Sequence, residues 1–393
     1  MLGGHRKLVL ISVVLLTLAV LPAGVWPQAH SAENKKKPTS KSAAEFDSLA
    51  RRAAAAWKAN QVEEAVKLYR QGVDIRPTWS EGWDHLGNSL YQLERYSEAR
   101  DAYREITILT PKNAASWAYL GLCEYELQDY RRAFDDMSKG EKLGIGDNRD
   151  LTGQVKYHLA VLWNTVGQFD MGLREMLWFT RQNLGSPEIL EAIGLSVLRA
   201  PVLPDKVPAE KKEMLILAGG ASFAANVQKM DEARKLYQQL AEKYPSEPNV
   251  HFAYGQFLSH VDIDGSLREY EKEIELSPSH VLAKLEAALL YLKEGELEKA
   301  LKQAQESAKL QPQNAAAHNL SGRALTEMDR ASEAIPELEL ATRLLPDNAS
   351  FHLNLARAYQ KSGEATLASK EIATFNELEK RKAEGQPASP PPN

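Results

Sequence analysis

A step of thirty-four residues runs through this chain and restricts its fold more than any other feature. Ala65, Ala99 and Ala133 lie 34 apart, and so do Ala300, Ala334 and Ala368, with Ala233 in the same place in a unit between them. Pro77 and Pro111 repeat at 34, and Pro245, Pro278, Pro312 and Pro346 follow at 33, 34 and 34. Gly87, Gly121 and Gly322 each precede their own alanine by 12 residues. A period of this length means stacked units that each bury a face against the next. A small residue in one helix and an alanine in the next let two antiparallel helices approach closely. A proline beyond the second helix stops it and turns the chain into the next unit.

Helix is the only regular structure such units need, and the composition agrees. Alanine, leucine, glutamate and lysine dominate, while alternating runs of valine and threonine are scarce. With 44% hydrophobic and 26% charged residues, this is a chain able to fold in water. Its formal net charge is −5, and about −7 once the first 31 residues are set aside. A mildly acidic surface argues against a nucleic-acid scaffold, which needs a basic stripe. One cysteine, Cys123, excludes an intrachain disulfide, so stability rests on the apolar core.

The ends read differently. Arg6 and Lys7 precede an apolar run of 14 residues, Leu8 to Leu21, with small residues at Ala29 and Ser31. This is the pattern of a secretory signal over 1–31. The alternative is an uncleaved membrane anchor, but as a helix the run would rise ~21 Å, short of the ~30 Å hydrocarbon core. A secreted or periplasmic, cell-envelope location is expected, with no stable membrane insertion after cleavage. Residues 32–45 read as a flexible linker and 384–393 as a proline-rich disordered tail.

Between them the stretch Trp83-x-x-Leu86-Gly87-x-x-Leu90, then Ala99, Tyr103 and Pro111, resembles the tetratricopeptide repeat (TPR) pattern almost position for position. Trp117, Leu120-Gly121 and Ala133 continue it. The resemblance implies an all-α fold, a right-handed α-solenoid of about ten TPR-like helix–turn–helix repeats. Units open near 46, 80, 114, 214, 248, 281, 315 and 349, and less regularly near 152 and 187. An N-terminal block spans 46–198 and a C-terminal block 214–383. Pro201, Pro204 and Pro208 make 199–213 a break, either an insertion on the convex edge or a hinge. The helix before it, about Pro187–Leu198, has no obvious partner and reads as an incomplete repeat.

By the same resemblance, positions 2, 5, 9, 12 and 13 of each unit face a concave groove. Position 12 holds Trp57, Tyr91 and Tyr125, an aromatic column with Asp84 and Asn88 beside it. These rings either contact a ligand or pack on the neighbouring helix. Further along, Arg323 and Arg357 share position 9, with Asn319 near, a cationic patch suited to an anion unless an acid such as Glu327 pairs with it. The carboxylate clamp of chaperone-tail readers is not present, since Asn88 and Asn354 lie in distant units and Asp84 stands where a lysine would be needed.

No catalytic or metal-binding motif is legible, so no enzyme, cofactor or metal is expected. His251, His318 and His352 share the packing slot of Trp83 and Trp117 at position 4 and read as structural. Asp262-x-Asp264-Gly265 falls at a turn between helices, and Cys123 reads as a small core residue. The expected function is an exported scaffold that binds a protein or peptide partner in its groove. The alternative is polysaccharide binding or exopolysaccharide secretion through the groove aromatics.

Overall fold

Residues 40–384 are described by a computed structural model, and the expected signal, most of the expected linker and nearly all of the expected tail lie outside them. Every regular element among the described residues is helical. Nine antiparallel pairs account for eighteen of nineteen α-helices. In the N-terminal half these are α1 (Ser40–Lys58) with α2 (Val62–Ile75), α3 (Ser80–Gln92) with α4 (Tyr96–Leu109), α5 (Ala114–Glu126) with α6 (Tyr130–Leu143), and α7 (Arg149–Thr165) with α8 (Phe169–Arg181). A single helix, α9 (Pro187–Val197), follows. The C-terminal half pairs α10 (Ala209–Asn226) with α11 (Met230–Lys243), α12 (Val250–Leu258) with α13 (Ile263–Leu276), and α14 (Val281–Lys293) with α15 (Leu297–Leu310). It closes with α16 (Ala315–Glu327) on α17 (Ala331–Leu344) and α18 (Ala349–Ser362) on α19 (Ala365–Ala383).

The turn inside every pair but α12–α13 shows why the period holds. Asn60, Glu94 and Gln128, spaced like the alanines, carry positive φ, as do Gly295, Asp329 and Gly363. One left-handed residue ends the first helix and lets the second fold back. Asn113 and Asn314 cap the following first helices, accepting from the amides of Ser116 and Ala317, both at 3.2 Å. Within pairs, contact runs through the small residues. A Cβ on Gly121 would lie 2.8 Å from the Ala133 carbonyl oxygen. The repeating alanines Ala65, Ala99, Ala133, Ala300 and Ala334 are completely buried.

First helices of successive units pack on each other, α5 on α7, α7 on α9, α14 on α16 and α16 on α18, more closely than second helices do. The first-helix layer is therefore the inner, concave one.

Three boundaries differ from expectation. α1 begins at Ser40, inside the expected linker, because Ala43, Ala44 and Glu45 are strong helix formers. The break narrows to 198–208, with one 3₁₀ turn at Pro204–Lys206. Pro208, at φ −59°, is compatible with opening a helix, so α10 starts at Ala209 and not at 214. Nor is α9 without a partner, since it docks directly on α10. A Cβ on Gly194 would lie 2.0 Å from the Leu215 carbonyl oxygen, and one on Gly219 would lie 1.8 Å from that of Leu190. One apolar cluster runs from Ala160 and Met176 through Ile193 and Leu215 to Tyr254 and Leu258. The two blocks share a core across the break.

Candidate functional site: the inner wall of first helices

The aromatic column exists, but its rings work as wedges between units. Trp57 packs on His85 (ring centroids 5.5 Å apart), Tyr91 on Tyr119 (5.5 Å) and Tyr125 on His158 (4.4 Å). Each contact joins position 12 of one unit to the first helix of the next. Tyr91 and Tyr125 also meet Tyr96 and Tyr130 edge-on, 5.5 and 5.3 Å away, at the start of their own second helices. All three rings remain half-exposed, so the packing reading holds for most of each ring and the groove keeps the rest. The Tyr91 hydroxyl reaches Gln154 at 3.3 Å, a bond between units two apart.

Asp84 and Asn88 form a local network. The Asn88 amide donates to Asp84 at 3.1 Å and its carbonyl accepts from the Tyr103 hydroxyl at 2.8 Å. Burial raises the Asp84 carboxyl, and the Asn88 bond only partly offsets this. Asn88 is thus committed to Tyr103 and Asp84, and Asp84 stays half-buried beside it.

In the C-terminal block Asn319 is buried and accepts from Asn354 at 2.8 Å, so it ties α16 to α18. Arg323 lies 4.0 Å from Glu327 with 29% of its side chain exposed, a loose pair of the kind the sequence suggested. Arg357, one unit on, is exposed and has no acidic partner among the described residues. Lys361 is tied to the Thr326 carbonyl at 2.8 Å and to Asp329 at 2.6 Å. The cationic patch reduces to two arginines, of which Arg357 is the freer.

The position-4 slot is richer than its sequence shows. Trp83 donates to the Pro77 carbonyl at 2.8 Å and Trp117 to that of Pro111 at 2.9 Å. His251, His318 and His352 make the same bond, to the carbonyls of Pro245, Pro312 and Pro346, at 2.9–3.0 Å. Their other ring nitrogens each meet a glutamate at 2.6 Å: Glu269, Glu337 and Glu371. Lys156 and Lys284 fill the slot elsewhere, bonded to Glu175 at 2.7 Å and to Glu306 at 2.5 Å. These pairs hold each turn to the second helix of its unit, a structural task as expected. Asp262 caps α13 by accepting from the Gly265 amide at 2.9 Å. Cys123 is fully buried, and burial pushes its thiol well up.

One feature of the inner wall is not announced by any sequence pattern. A hollow of about 730 Å³ lies between α7, the end of α8 and the start of α9, lined by Gly153, Tyr157, His158, Trp178, Phe179, Leu184 and Ile189. A lengthened α7, of 17 residues against 13 in α3 and α5, supplies its upper rim.

Stacked helix pairs with a concave first-helix layer define the chain as an α-solenoid repeat protein. Family models described as tetratricopeptide repeat match residues 86–147, 257–315, 285–349 and 218–246. The chain belongs to the tetratricopeptide repeat family, whose arrays serve as protein–protein interaction scaffolds. No curated protein sequence matches it. Among solved structures it is similar to MamA 41-end from Desulfovibrio magneticus RS-1, at 19% identity and a TM-score of 0.40, over 43% of this chain and 96% of that one. It is also similar to a MamA double mutant (19%, TM-score 0.41, 43% and 96%) and to a further MamA crystal structure (18%, TM-score 0.40, 45% and 98%).

Proposed function

We propose that this chain is an exported scaffold whose inner wall holds an extended segment of another protein in the cell envelope. The observation that carries this reading is the continuity of that wall. First helices line it from α1 to α18, and exposed or half-exposed side chains of several kinds, Trp57, Asp84, Tyr91, Arg323 and Arg357, lie along it. A sugar platform needs open ring faces, whereas each groove aromatic is engaged by the next unit. The geometry therefore favours a protein partner over a polysaccharide. Export rests on the pattern of residues 1–31, and no described helix is long and apolar enough to cross a membrane.

The test is an affinity pull-down from envelope extracts with the wild-type chain and with Arg323→Ala/Arg357→Ala. A partner retained by the wild type and lost from the variant supports the reading. Equal retention by both places the binding surface elsewhere. Protein from the native host that begins at Met1 would refute signal cleavage.

A further inference from the structure

We infer that the hollow at the fourth unit is a receptor for one cationic side chain, lysine or arginine, of the segment held in the groove. This deepens the scaffold reading above and rests on it. Aromatic and aliphatic groups make the walls: Tyr157, Trp178, Phe179, Leu184 and Ile189. Gly153 leaves the floor bare, since a Cβ there would already lie 3.3 Å from the Trp178 ring. Leu184 is 47% exposed, an apolar surface facing water.

Two carboxylates stand on the rim. Asp150 and Glu188 are exposed, and neither has a basic partner among the described residues. The Ser186 hydroxyl bonds to Glu188 and holds its carboxyl below the usual range, so it is an anion at neutral pH. Burial pushes the Tyr157 phenol up to about 12, with Glu191 and Glu188 adding to the effect. The only strong cation in the lining, Arg149, is engaged by the Gln182 side-chain oxygen. His158 gives its Nδ1 proton to the Gln154 carbonyl at 2.7 Å, and burial lowers its basicity, so the ring is neutral.

Aromatic faces beneath unpaired carboxylates complement a cation on an apolar stem. With the Asp150 and Glu188 carboxylates set against the one Arg149 guanidinium, the lining keeps a net negative charge, so the chemistry selects a basic segment. The hollow also joins the groove: Gln154 in its lining meets Tyr91, and His158 packs on Tyr125. A chain lying along the inner wall can place a side chain there without leaving it. The apolar residue beside that cation then covers Leu184 and Ile189.

Fluorescence anisotropy with the full chain tests this. The probes are two labelled peptides, one alternating leucine with arginine and the other leucine with glutamate. The basic peptide is expected to bind about tenfold tighter or more, and Asp150→Asn/Glu188→Gln to weaken it by about threefold for each carboxylate neutralised. Glu377→Gln/Glu379→Gln, an exposed acid pair on α19, should leave it within about twofold. Trp178→Leu with unchanged helix content should also weaken it. Equal affinity for both peptides, or no loss in the Asp150/Glu188 variant, overturns the inference. If that variant binds like wild type while Arg323→Ala/Arg357→Ala still loses the pulled-down partner, the hollow alone is refuted. If neither variant changes any binding, the groove reading falls with it.

Discussion

Two neighbouring glycines in α10 should respond to the same substitution with opposite signs. Gly219 faces α9, and an added methyl would sit 1.8 Å from the Leu190 carbonyl oxygen and 2.9 Å from the Gly194 amide nitrogen. Both obstacles are backbone, so no rotamer change relieves them, and the helices must separate by more than 1 Å. Gly220 faces only the ends of the Leu236 and Leu190 side chains, at 3.8 and 4.0 Å, which is ordinary contact. Overpacking of this kind costs about 3 kcal/mol at the upper end of its usual range. Replacing glycine with alanine inside a helix returns about 1 kcal/mol. Gly219→Ala should therefore lose about 2 kcal/mol and Gly220→Ala should gain about 1 kcal/mol. Urea unfolding followed by circular dichroism gives the difference. Amide exchange localises it, because Gly219→Ala should loosen α9 and α10 before the terminal units. A neutral or stabilising Gly219→Ala would refute the direct backbone contact and, with it, the shared core across the break.

Further perturbations probe the inner wall and a buried acid. Tyr91→Ala should cost about 2 kcal/mol, less than the ~3–5 kcal/mol of a fully buried aromatic because the ring is half-exposed. Tyr91→Phe should cost under about 0.5 kcal/mol, since it removes only the 3.3 Å bond to Gln154, and a thermal melt of both variants checks the order. Glu124 is 1% exposed, and burial followed by the nearby Asp136 raises its carboxyl by more than the Arg104 guanidinium, 3.3 Å away, lowers it. The folded state then binds the proton more tightly, so this group's contribution falls as pH rises above about 4.3. Glu124→Gln should be near neutral around pH 4 and stabilising by about 1–2 kcal/mol at pH 8, read from urea midpoints at both pH values.

The fold was legible because its signal is repeated. Alanine, glycine and proline recur with a spacing that only paired, stacked helices explain, and a slip in one unit is outvoted by the others. The junction was not legible, for two reasons. The decisive residues, Gly194 and Gly219, are separated by the 198–208 connection and occur once. Pro201, Pro204 and Pro208 also say where helix stops without saying what packs behind. The groove residues were half legible. Position 12 places Trp57, Tyr91 and Tyr125 on the inner layer, but at the last turn of a helix a ring can turn outward or onto its neighbour. That choice is made by His85, Tyr119 and His158 in the next unit, through packing that a single repeat does not encode. The hollow was missed because its parts come from α7, the end of α8 and the start of α9, and none of them repeats.

The position-4 histidines illustrate the same limit and yield a sharper test. Their slot was clear from register, but their partners were not, because Glu269, Glu337 and Glu371 are three acids among many on second helices. Geometry distinguishes them. Each ring lies between a proline carbonyl and a carboxylate, within hydrogen-bond distance of both. At the first of these sites burial alone would raise the Glu269 carboxyl, but hydrogen bonds from His251 and Lys272 outweigh it and hold the group below its usual range. The folded pKa is then lower than the unfolded one. The stabilisation is present above about pH 4.3 and is lost as pH falls through the folded value. Glu269→Gln should cost about 1–3 kcal/mol at pH 6, where wild type keeps its charged bond. The cost should shrink as pH falls through the folded value, where wild type protonates and loses the same bond. A cost that stays constant over the whole acid range in which the protein remains folded would mean that Glu269 contributes by shape and not by charge.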